Sequence, residues 1–271
     1  MNSTHAHPTT FTAVVLAADR GPDDPVARAT HAACKSFVPV AGRPMVLRVL
    51  DALAGAREIE ALTVCGPQKP LLSQAPELLA RIESDEITWI PSKETPSTSA
   101  YHALSLIPGA TRILITTSDH ALLRPEIVDY FCQKARLTDY DVIVGLAPYR
   151  QVTDAYPETR RTATRLRDGE FCSCNLFAFL TPHARKAAEF WKKIESNRKK
   201  PWHMMTAVGW TVVLRYFFRR LSLDEGLDRL SKRMGLKAGA VILPFPEAAI
   251  DVDTVSDWQL VEKIVTGRYQ K

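Results

Sequence analysis

The sequence lacks any apolar run long enough to cross a membrane. A spanning helix needs about 20 consecutive apolar residues, and no stretch of the 271-residue chain approaches that length. The first ten residues are polar and lack the apolar centre of a secretory signal peptide. We therefore expect a soluble protein of the cytoplasm, with residues 1–10 disordered.

Cysteines with the spacing of a metal site are also lacking. The chain has five cysteines, an odd number, and no C-x-x-C pair. Cys172 and Cys174 would share one face of an extended strand, but further zinc ligands at suitable spacing are absent. We therefore expect reduced thiols in a cytosolic protein.

A dominant charge is the third feature that the sequence lacks. The chain contains 35 lysines and arginines against 30 aspartates and glutamates, which gives a net charge of +5. The basic residues do not alternate with aromatic ones along a face, so we expect no nucleic-acid partner. Hydrophobic residues make up 46% of the chain, which is enough for a sizeable buried core.

What the sequence does contain is an alternation of strand-like and helix-like segments. Apolar, β-rich runs predict strands at residues 12–18, 62–65, 87–90, 113–117, 142–146, 176–180 and 241–244. Helical patterns lie between them, at residues 44–54, 71–82, 97–106, 125–135, 182–195, 206–221, 224–234 and 255–265. This order predicts an α/β fold with a mainly parallel, Rossmann-like sheet and helices on both faces.

The second half of the chain departs from this regular pattern. Residues 149–239 have longer connections between strands and are more basic than the first half. We interpret them as an α-rich insertion or lid on the acceptor side of a site, within a single domain that spans residues 1–271.

Acidic residues follow three of the predicted strands. Ligands of open α/β sheets bind outside the carboxyl ends of the strands, and Asp19, Asp119 and the pair Asp251 and Asp253 lie at such ends. Asp119 is either a metal ligand or a helix cap, although it stands five residues from the next helix. Because Mg²⁺ needs only one or two carboxylates, Asp119 with Asp253 or Asp251 predicts a magnesium site.

Two helix starts carry polar residues with an ordinary capping pattern. Thr254 with Asp257 predicts a capping box for the last helix, which leaves the two preceding aspartates unexplained. Thr95 is the predicted N-cap of the helix from Pro96, where Ser97 and Ser99 could contact an anion or a base. Capping alone is the alternative interpretation of that second pattern.

Several basic residues are candidates for binding phosphate. Lys35 lies in a loop from which its ammonium could reach a triphosphate, and a solvated surface position is the alternative. Arginines hold phosphates through two parallel hydrogen bonds, and they cluster in the segments 156–167 and 198–202. We expect one of these clusters, which contain Arg160, Arg161 and Lys200, to hold a phosphorylated acceptor.

The loop after the first strand resembles the opening pattern of the MobA-like NTP transferases, a nucleotidyltransferase family with a glycosyltransferase-A-type fold. The family pattern is L-A-A-G-x-G-x-R, then a lysine, then an apolar run that ends in G-x-P. Here it is matched by Leu16-Ala17-Ala18-Asp19-Arg20-Gly21, by Lys35, and by Gly42-Arg43-Pro44. Asp19 stands where the family has its first loop glycine, and the loop before Lys35 is longer.

Three later positions resemble the same family. Asp119 matches the aspartate at the end of the family's central strand, and Asn175 in "CNLFAF" resembles an acceptor-facing asparagine. The segment "IDVDTVSDW", with Asp251 and Asp253, resembles the late N-x-N-T-x-x-D motif.

The resemblance implies an Mg²⁺-dependent transfer of NMP from an NTP to a phosphorylated small molecule, with release of pyrophosphate. It also implies roles for single residues: catalytic for Lys35 and Asp119; nucleotide-binding for Leu16, Ala17, Ala18, Asp19, Arg20, Gly21, Lys35, Ser97 and Ser99; metal-binding for Asp119, Asp253 and Asp251; acceptor-binding for Asn175, Arg160, Arg161 and Lys200.

Two other functions stay open at this stage. A nucleotide-sugar-dependent glycosyltransferase usually carries D-x-D at the central strand end, whereas this chain has Ser118-Asp119-His120. A non-catalytic nucleotide-binding protein is supported by Asp19, because a carboxylate beside a triphosphate repels it unless it faces the base or joins the metal.

One apolar helix is not explained by nucleotide binding. The pattern at Trp210–Leu221 predicts a helix that packs into the core. The alternative is a helix on a membrane surface, which would imply a lipid-linked acceptor.

Overall fold

The computed structural model describes residues 10–18, 23–108, 111–197 and 210–269. Four predictions therefore lie wholly or partly outside the described residues. These are the disordered terminus at residues 1–10, of which only Thr10 is described, the loop residues Asp19, Arg20 and Gly21, the acceptor residue Lys200, and the start of the helix expected from Thr206.

The central sheet contains eight strands among the described residues, in the order β10-β7-β9-β6-β1-β4-β5, with β8 paired to β9. The strands along this path are β1 (Phe11–Leu16), β4 (Ile59–Cys65), β5 (Ile87–Ile90), β6 (Arg112–Thr117), β7 (Val142–Pro148), β9 (Gly169–Phe179) and β10 (Ala238–Ile242). The short β8 (Thr164–Leu166) adds to one edge of β9, while β2 (Pro39–Val40) and β3 (Arg43–Pro44) form a separate pair.

The strand pairing confirms a mainly parallel sheet. Strand β1 lies between β4 and β6 and is parallel to both, β4 is parallel to β5, and β10 is parallel to β7. The exception is β9, which runs antiparallel to its neighbours β6 and β7. The short β8 precedes β9 as the other arm of a hairpin, so β9 enters the sheet in the reverse direction.

Helices cover both faces of this sheet. They are α1 (Pro25–Ala29), α2 (Met45–Ala54), α3 (Pro76–Glu83), α4 (Pro96–Leu106), α5 (Pro125–Arg136), α6 (Tyr149–Ala155), α7 (Arg185–Asn197), α8 (Trp210–Phe217), α9 (Leu223–Met234) and α10 (Val255–Val265). The predicted helix at 71–82 is instead a 3₁₀ turn, Lys69–Gln74, followed by α3. Pro76 explains this break, because a proline lacks the N–H that a continuous helix requires there.

The core has one hydrophobic cluster on each face of the sheet and a third at its edge. Side chains of β1 alternate between the faces, so Val15 joins the larger cluster and Val14 the smaller. The third cluster packs Val38 and Val40 against Val252 and Val261. It therefore brings the loop after β1 next to the segment that precedes α10.

The region 149–239 contributes to the sheet as well as to the surface. It includes β9, which lies between β6 and β7, and it also contains the helices α6 to α9. Near the end of α8, Tyr216, Phe217 and Phe218 are exposed, Phe217 to 78%, so the prediction of a core-packing helix is wrong for these residues. Within the described ranges, no helix is both long and apolar enough to span a bilayer.

Candidate active site

Lys35 lies between two aspartates at the carboxyl edge of the sheet. Its Nζ donates hydrogen bonds to Asp119 Oδ2 at 2.7 Å and to Asp253 Oδ1 at 2.8 Å. Asp119 follows the end of β6, and Asp253 immediately precedes the N-cap residue of α10. Three segments that are distant in the sequence therefore meet at one ammonium group.

The Lys35 ammonium is enclosed and stays charged. Its side chain is 7% exposed, compared with 16% for Asp119 and 50% for Asp253. Burial acts to lower the pKa of Lys35, but the attraction and hydrogen bonds of Asp119 and Asp253 outweigh it and raise the pKa above its usual value. The lysine is thus a fixed positive charge at neutral pH, and the alternative of a solvated surface position is excluded.

Hydrogen bonds hold the loop after β1 at the same carboxyl edge of the sheet. Ser36 Oγ donates to the Ala17 carbonyl at 3.2 Å and shares a 2.9 Å hydrogen bond with Ser118 Oγ. Gly66 also contacts this loop: it has a φ of +84°, and a Cβ there would lie 2.9 Å from the Ala17 carbonyl oxygen. Leu16 and Ala17 are buried and Ala18 is half-buried, so they form a floor beneath the edge.

Asp251 is held by different partners from Asp253. Its carboxylate accepts hydrogen bonds from Asn175 Nδ2 at 2.7 Å and from the Arg161 guanidinium, which also donates to the Asp251 carbonyl at 3.2 Å. Burial raises the pKa of Asp251; Arg161 counteracts this shift, while the negative charges of Asp119 and Asp253 add to it. The structure thus brings Asp251, Arg161 and Asn175 together beside the lysine site.

The segment that carries both aspartates is also fixed through its backbone. Val252 N donates to the Asp119 carbonyl at 3.0 Å. Thr254 and Asp257 form the predicted capping box, and Asp257 Oδ2 also accepts from Asp253 N at 3.3 Å. The start of α10 therefore determines where Asp253 lies.

The remaining site predictions fall at separate places. Ser97 and Ser99 are buried in the first turns of α4, where their hydroxyls hydrogen-bond to Thr95 Oγ1 and to the Lys93 carbonyl. Their nucleotide contacts stay a prediction, as does an acceptor contact for Arg160, which is exposed and lines a cavity of about 440 Å³ near the start of α10.

Sequence analysis missed one buried group behind the site. His120 follows Asp119 and is almost completely buried. Burial lowers the pKa of His120 to about 4, against the opposing influence of Asp119. The imidazole is therefore neutral at physiological pH and adds no positive charge beside Lys35. Its position directly after the strand-end aspartate was the only available signal.

A larger cavity lies at the carboxyl ends of β4 and β5. It has a volume of about 650 Å³, and polar side chains dominate its lining, including Gln68, Ser92 and Tyr101. Lys192 from α7 lies 5.1 Å from the centre of the Tyr101 ring, a cation–π contact.

The donor atoms suit a hard divalent cation that takes few protein ligands. Asp119 Oδ1 is buried and has no hydrogen-bond partner, and Asp253 supplies a second carboxylate to the same ammonium. Within the described residues there is no group of three or more metal-ligating side chains. Mg²⁺ accepts such a sparse site, because it keeps several waters and binds substrate phosphates as well.

Comparison with protein families finds one match. The MobA-like NTP transferase domain matches residues 13–237, a range that starts in β1 and includes Lys35, Asp119, Arg161 and Asn175. Asp253 lies beyond the matched range. No curated protein matches the chain.

Solved structures with the same fold include transferases. A hypothetical transferase from Thermus thermophilus is 29% identical, with a TM-score of 0.75, and the alignment covers 92% of this chain and 99% of that one. The 4-diphosphocytidyl-2C-methyl-D-erythritol synthase from Anaerococcus prevotii is 10% identical, with a TM-score of 0.56 and coverage of 95% and 97%. A CMP:2-keto-3-deoxy-manno-octonic acid synthetase complexed with CTP is 12% identical, with a TM-score of 0.56 and coverage of 96% and 100%. The last two resemblances concern the fold alone.

Proposed function

The chain belongs to the MobA-like NTP transferase family and is a nucleotidyltransferase, and from this premise we propose that it transfers NMP from an NTP to a phosphorylated small-molecule acceptor. Pyrophosphate is the second product. The contact of Lys35 with Asp119 and Asp253 carries this proposal, because it joins a fixed cation and two carboxylates at the sheet edge where such folds bind ligands.

The reaction requires positioning and charge neutralisation more than proton transfer. An oxygen of the acceptor phosphate forms a bond to the α-phosphorus, and the bond from that phosphorus to the bridging oxygen breaks. The electron pair leaves with pyrophosphate. Because a phosphate monoester has a second pKa of about 6, its attacking oxygen is already ionised near neutral pH, and no side chain has to act as a base.

Lys35 would bind the triphosphate through its ammonium. Its side chain is only 7% exposed, so the ammonium lies in an enclosed part of the site. Once the ammonium contacts the triphosphate, it stabilises the negative charge that develops on the leaving group. Leu16, Ala17 and Ala18 would lie beneath the phosphates. The nucleoside would bind in the 650 Å³ cavity beside β4 and β5.

Asp119 and Asp253 are the residues that would hold Mg²⁺. The ion would neutralise charge on the triphosphate and orient it. Asp251 is omitted from this set, because Arg161 and Asn175 already use its carboxylate.

The acceptor is proposed to approach from the side of Arg161 and Asn175. Both lie within the region 149–239, which we propose as the acceptor side of the single domain, and Arg160 precedes the paired arginine in the chain. A cytoplasmic location is part of the proposal, since all five cysteines are free thiols in the structure.

Pyrophosphate release tests the proposed reaction. The protein is incubated with each of the four NTPs, Mg²⁺ and a panel of phosphorylated small molecules, with the variant Asp119→Asn as control. We expect release that depends on one NTP, on the acceptor and on Asp119. Sugar transfer from a nucleotide-sugar, with no pyrophosphate from any NTP, would contradict the proposal.

A further inference from the structure

We propose that Lys35 is an internal cation that occupies the divalent-ion position of the nucleotide-free protein. A metal ion then binds only together with a triphosphate. The triphosphate replaces the two carboxylates as the partner of the lysine ammonium. This inference rests on the proposed function, because it requires Asp119 and Asp253 to be the metal ligands.

One ammonium, that of Lys35, binds both carboxylates. Lys35 Nζ lies 2.7 Å from Asp119 Oδ2 and 2.8 Å from Asp253 Oδ1, which are ordinary lengths for charge-assisted hydrogen bonds. Mg²⁺ binds carboxylate oxygens at about 2.1 Å. A metal shared by these two oxygens would therefore lie in the same space as the ammonium.

Electrostatic repulsion also opposes a metal ion beside the ammonium. A dication and an ammonium at adjacent positions repel each other strongly in a site where little water screens them. The lysine side chain is 7% exposed and that of Asp119 is 16% exposed, so solvent does little to weaken this repulsion on the side of Asp119. A metal bound to Asp119 Oδ2 and Asp253 Oδ1 and the present position of the ammonium therefore exclude each other.

The lysine ammonium can leave this position without a change of fold. Its backbone is held in the 3₁₀ turn Lys35–Phe37, and Ser36 fastens that turn to Ala17 and Ser118. Only the four-carbon stem has to move the ammonium. Asp253 is half exposed, so the site is open to solvent on its side, from which a triphosphate could approach.

A coupling between the two ligands follows. By linkage, if a triphosphate raises the affinity for the metal, the metal raises the affinity for the triphosphate by the same factor. In the free protein Lys35 balances one of the two negative charges and occupies the space between the carboxylates, so the affinity for a divalent ion alone is low.

Binding of Mn²⁺ to the nucleotide-free protein tests this inference, with the signal of free Mn²⁺ in electron paramagnetic resonance as the readout. The wild type is compared with Lys35→Met, which keeps an apolar stem but loses the charge. Lys237→Met is the matched control, because it removes one lysine that is paired with a carboxylate, Asp139, away from the site. We expect Lys35→Met to bind Mn²⁺ about tenfold more tightly than the wild type or more, and Lys237→Met to bind as the wild type does.

Lys35→Arg separates charge from shape. It keeps a cation between the carboxylates, so we expect its affinity for Mn²⁺ to stay as low as that of the wild type.

If Lys35→Met does not fold, the thermal unfolding midpoint of the wild type tests the inference without any variant. A thermal unfolding midpoint that rises with Mn²⁺ and no nucleotide would overturn the inference, whereas a rise only when an NTP is also present would support it.

The two proposals fail in different ways. If the nucleotide-free wild type binds Mn²⁺ as tightly as Lys35→Met, the inference about Lys35 is wrong, and NTP binding measured by calorimetry still supports the proposed function. If no NTP binds in the presence of Mn²⁺, the proposed function fails, and with it the reason to expect a metal at this site.

Discussion

At the scale of single residues, Asp251 and Asp253 have different partners although they stand two positions apart. Asp253 contacts Lys35, and Asp251 contacts Arg161 and Asn175. An extended chain places such residues on one face, which is why the sequence predicted a common role as metal ligands. The partners of Asp251 come from distant segments, and no local pattern reports them.

This difference predicts unequal effects of the same substitution. Asp253→Asn removes a proposed metal ligand, so the affinity for an NTP in the presence of Mg²⁺ is expected to fall about tenfold or more. Asp251→Asn serves as the matched variant, and we expect it to keep that affinity within about threefold. Isothermal titration calorimetry with and without Mg²⁺ measures both. Equal losses of NTP affinity for the two variants would indicate that Asp251 is a metal ligand as well.

At the scale of elements, β9 carries Asn175 in a left-handed conformation with a φ of 49°. The pairing register with β7 shifts between Val144 and Leu146, opposite this part of β9. A residue with a Cβ is strained in such a conformation, whereas glycine and, to a lesser degree, asparagine tolerate it.

A pair of substitutions separates the backbone role of Asn175 from that of its amide. Asn175→Gly and Asn175→Ala both lose the contact with Asp251, but only alanine also adds strain. The alanine variant is expected to be less stable than the glycine variant by about 1 kcal/mol. Urea unfolding measures the difference, and an alanine variant as stable as the glycine variant would contradict the assigned strain.

The start of α10 is a second element with a specific prediction. Thr254 Oγ1 accepts a hydrogen bond from Asp257 N at 3.2 Å and donates to its carboxylate at 2.7 Å. Thr254→Ala is expected to lower the free energy of unfolding by about 1 kcal/mol, as the loss of an N-cap does. Thr266→Ala, at the exposed end of the same helix, is the control and should change it by about 0.5 kcal/mol or less.

The elements also show what the sequence could and could not predict. The strands β1 and β6 contain the apolar runs AVVL and ILI, so hydrophobicity located both strands and, with β6, the aspartate that follows it. The direction of β9 depends on the short hairpin with β8. Its turn contains Asp168-Gly169, a pair typical of hairpin turns, but the three-residue β8 is too short for a strand pattern. The helix α1 was missed because it has only five residues, too few for a periodic signal.

At the scale of the whole molecule, burial controls the chemistry of the thiols. All five cysteines are buried and free. Burial raises the pKa of Cys65 to about 11, and it raises the pKa of Cys132, Cys172 and Cys174 above the usual value. A raised pKa keeps these thiols protonated at pH 8, so they lack the reactive thiolate form.

A thiol-modifying reagent checks this prediction. At pH 8 the folded protein is expected to show no rapidly reacting cysteine, and the unfolded protein is expected to show five. Rapid modification of one thiol in the folded state would contradict the prediction, because it would show that this cysteine is more exposed than it is in the structure.

The account as a whole depends on a nucleotide site at the edge where β1, β6 and the start of α10 meet. Its most direct test is calorimetric titration of the wild type and of Asp119→Asn with ATP, GTP, CTP and UTP in the presence of Mg²⁺. The account predicts that the wild type binds at least one of them and that Asp119→Asn weakens this binding. Absence of binding by all four, or an affinity that Asp119→Asn leaves unchanged, would contradict it.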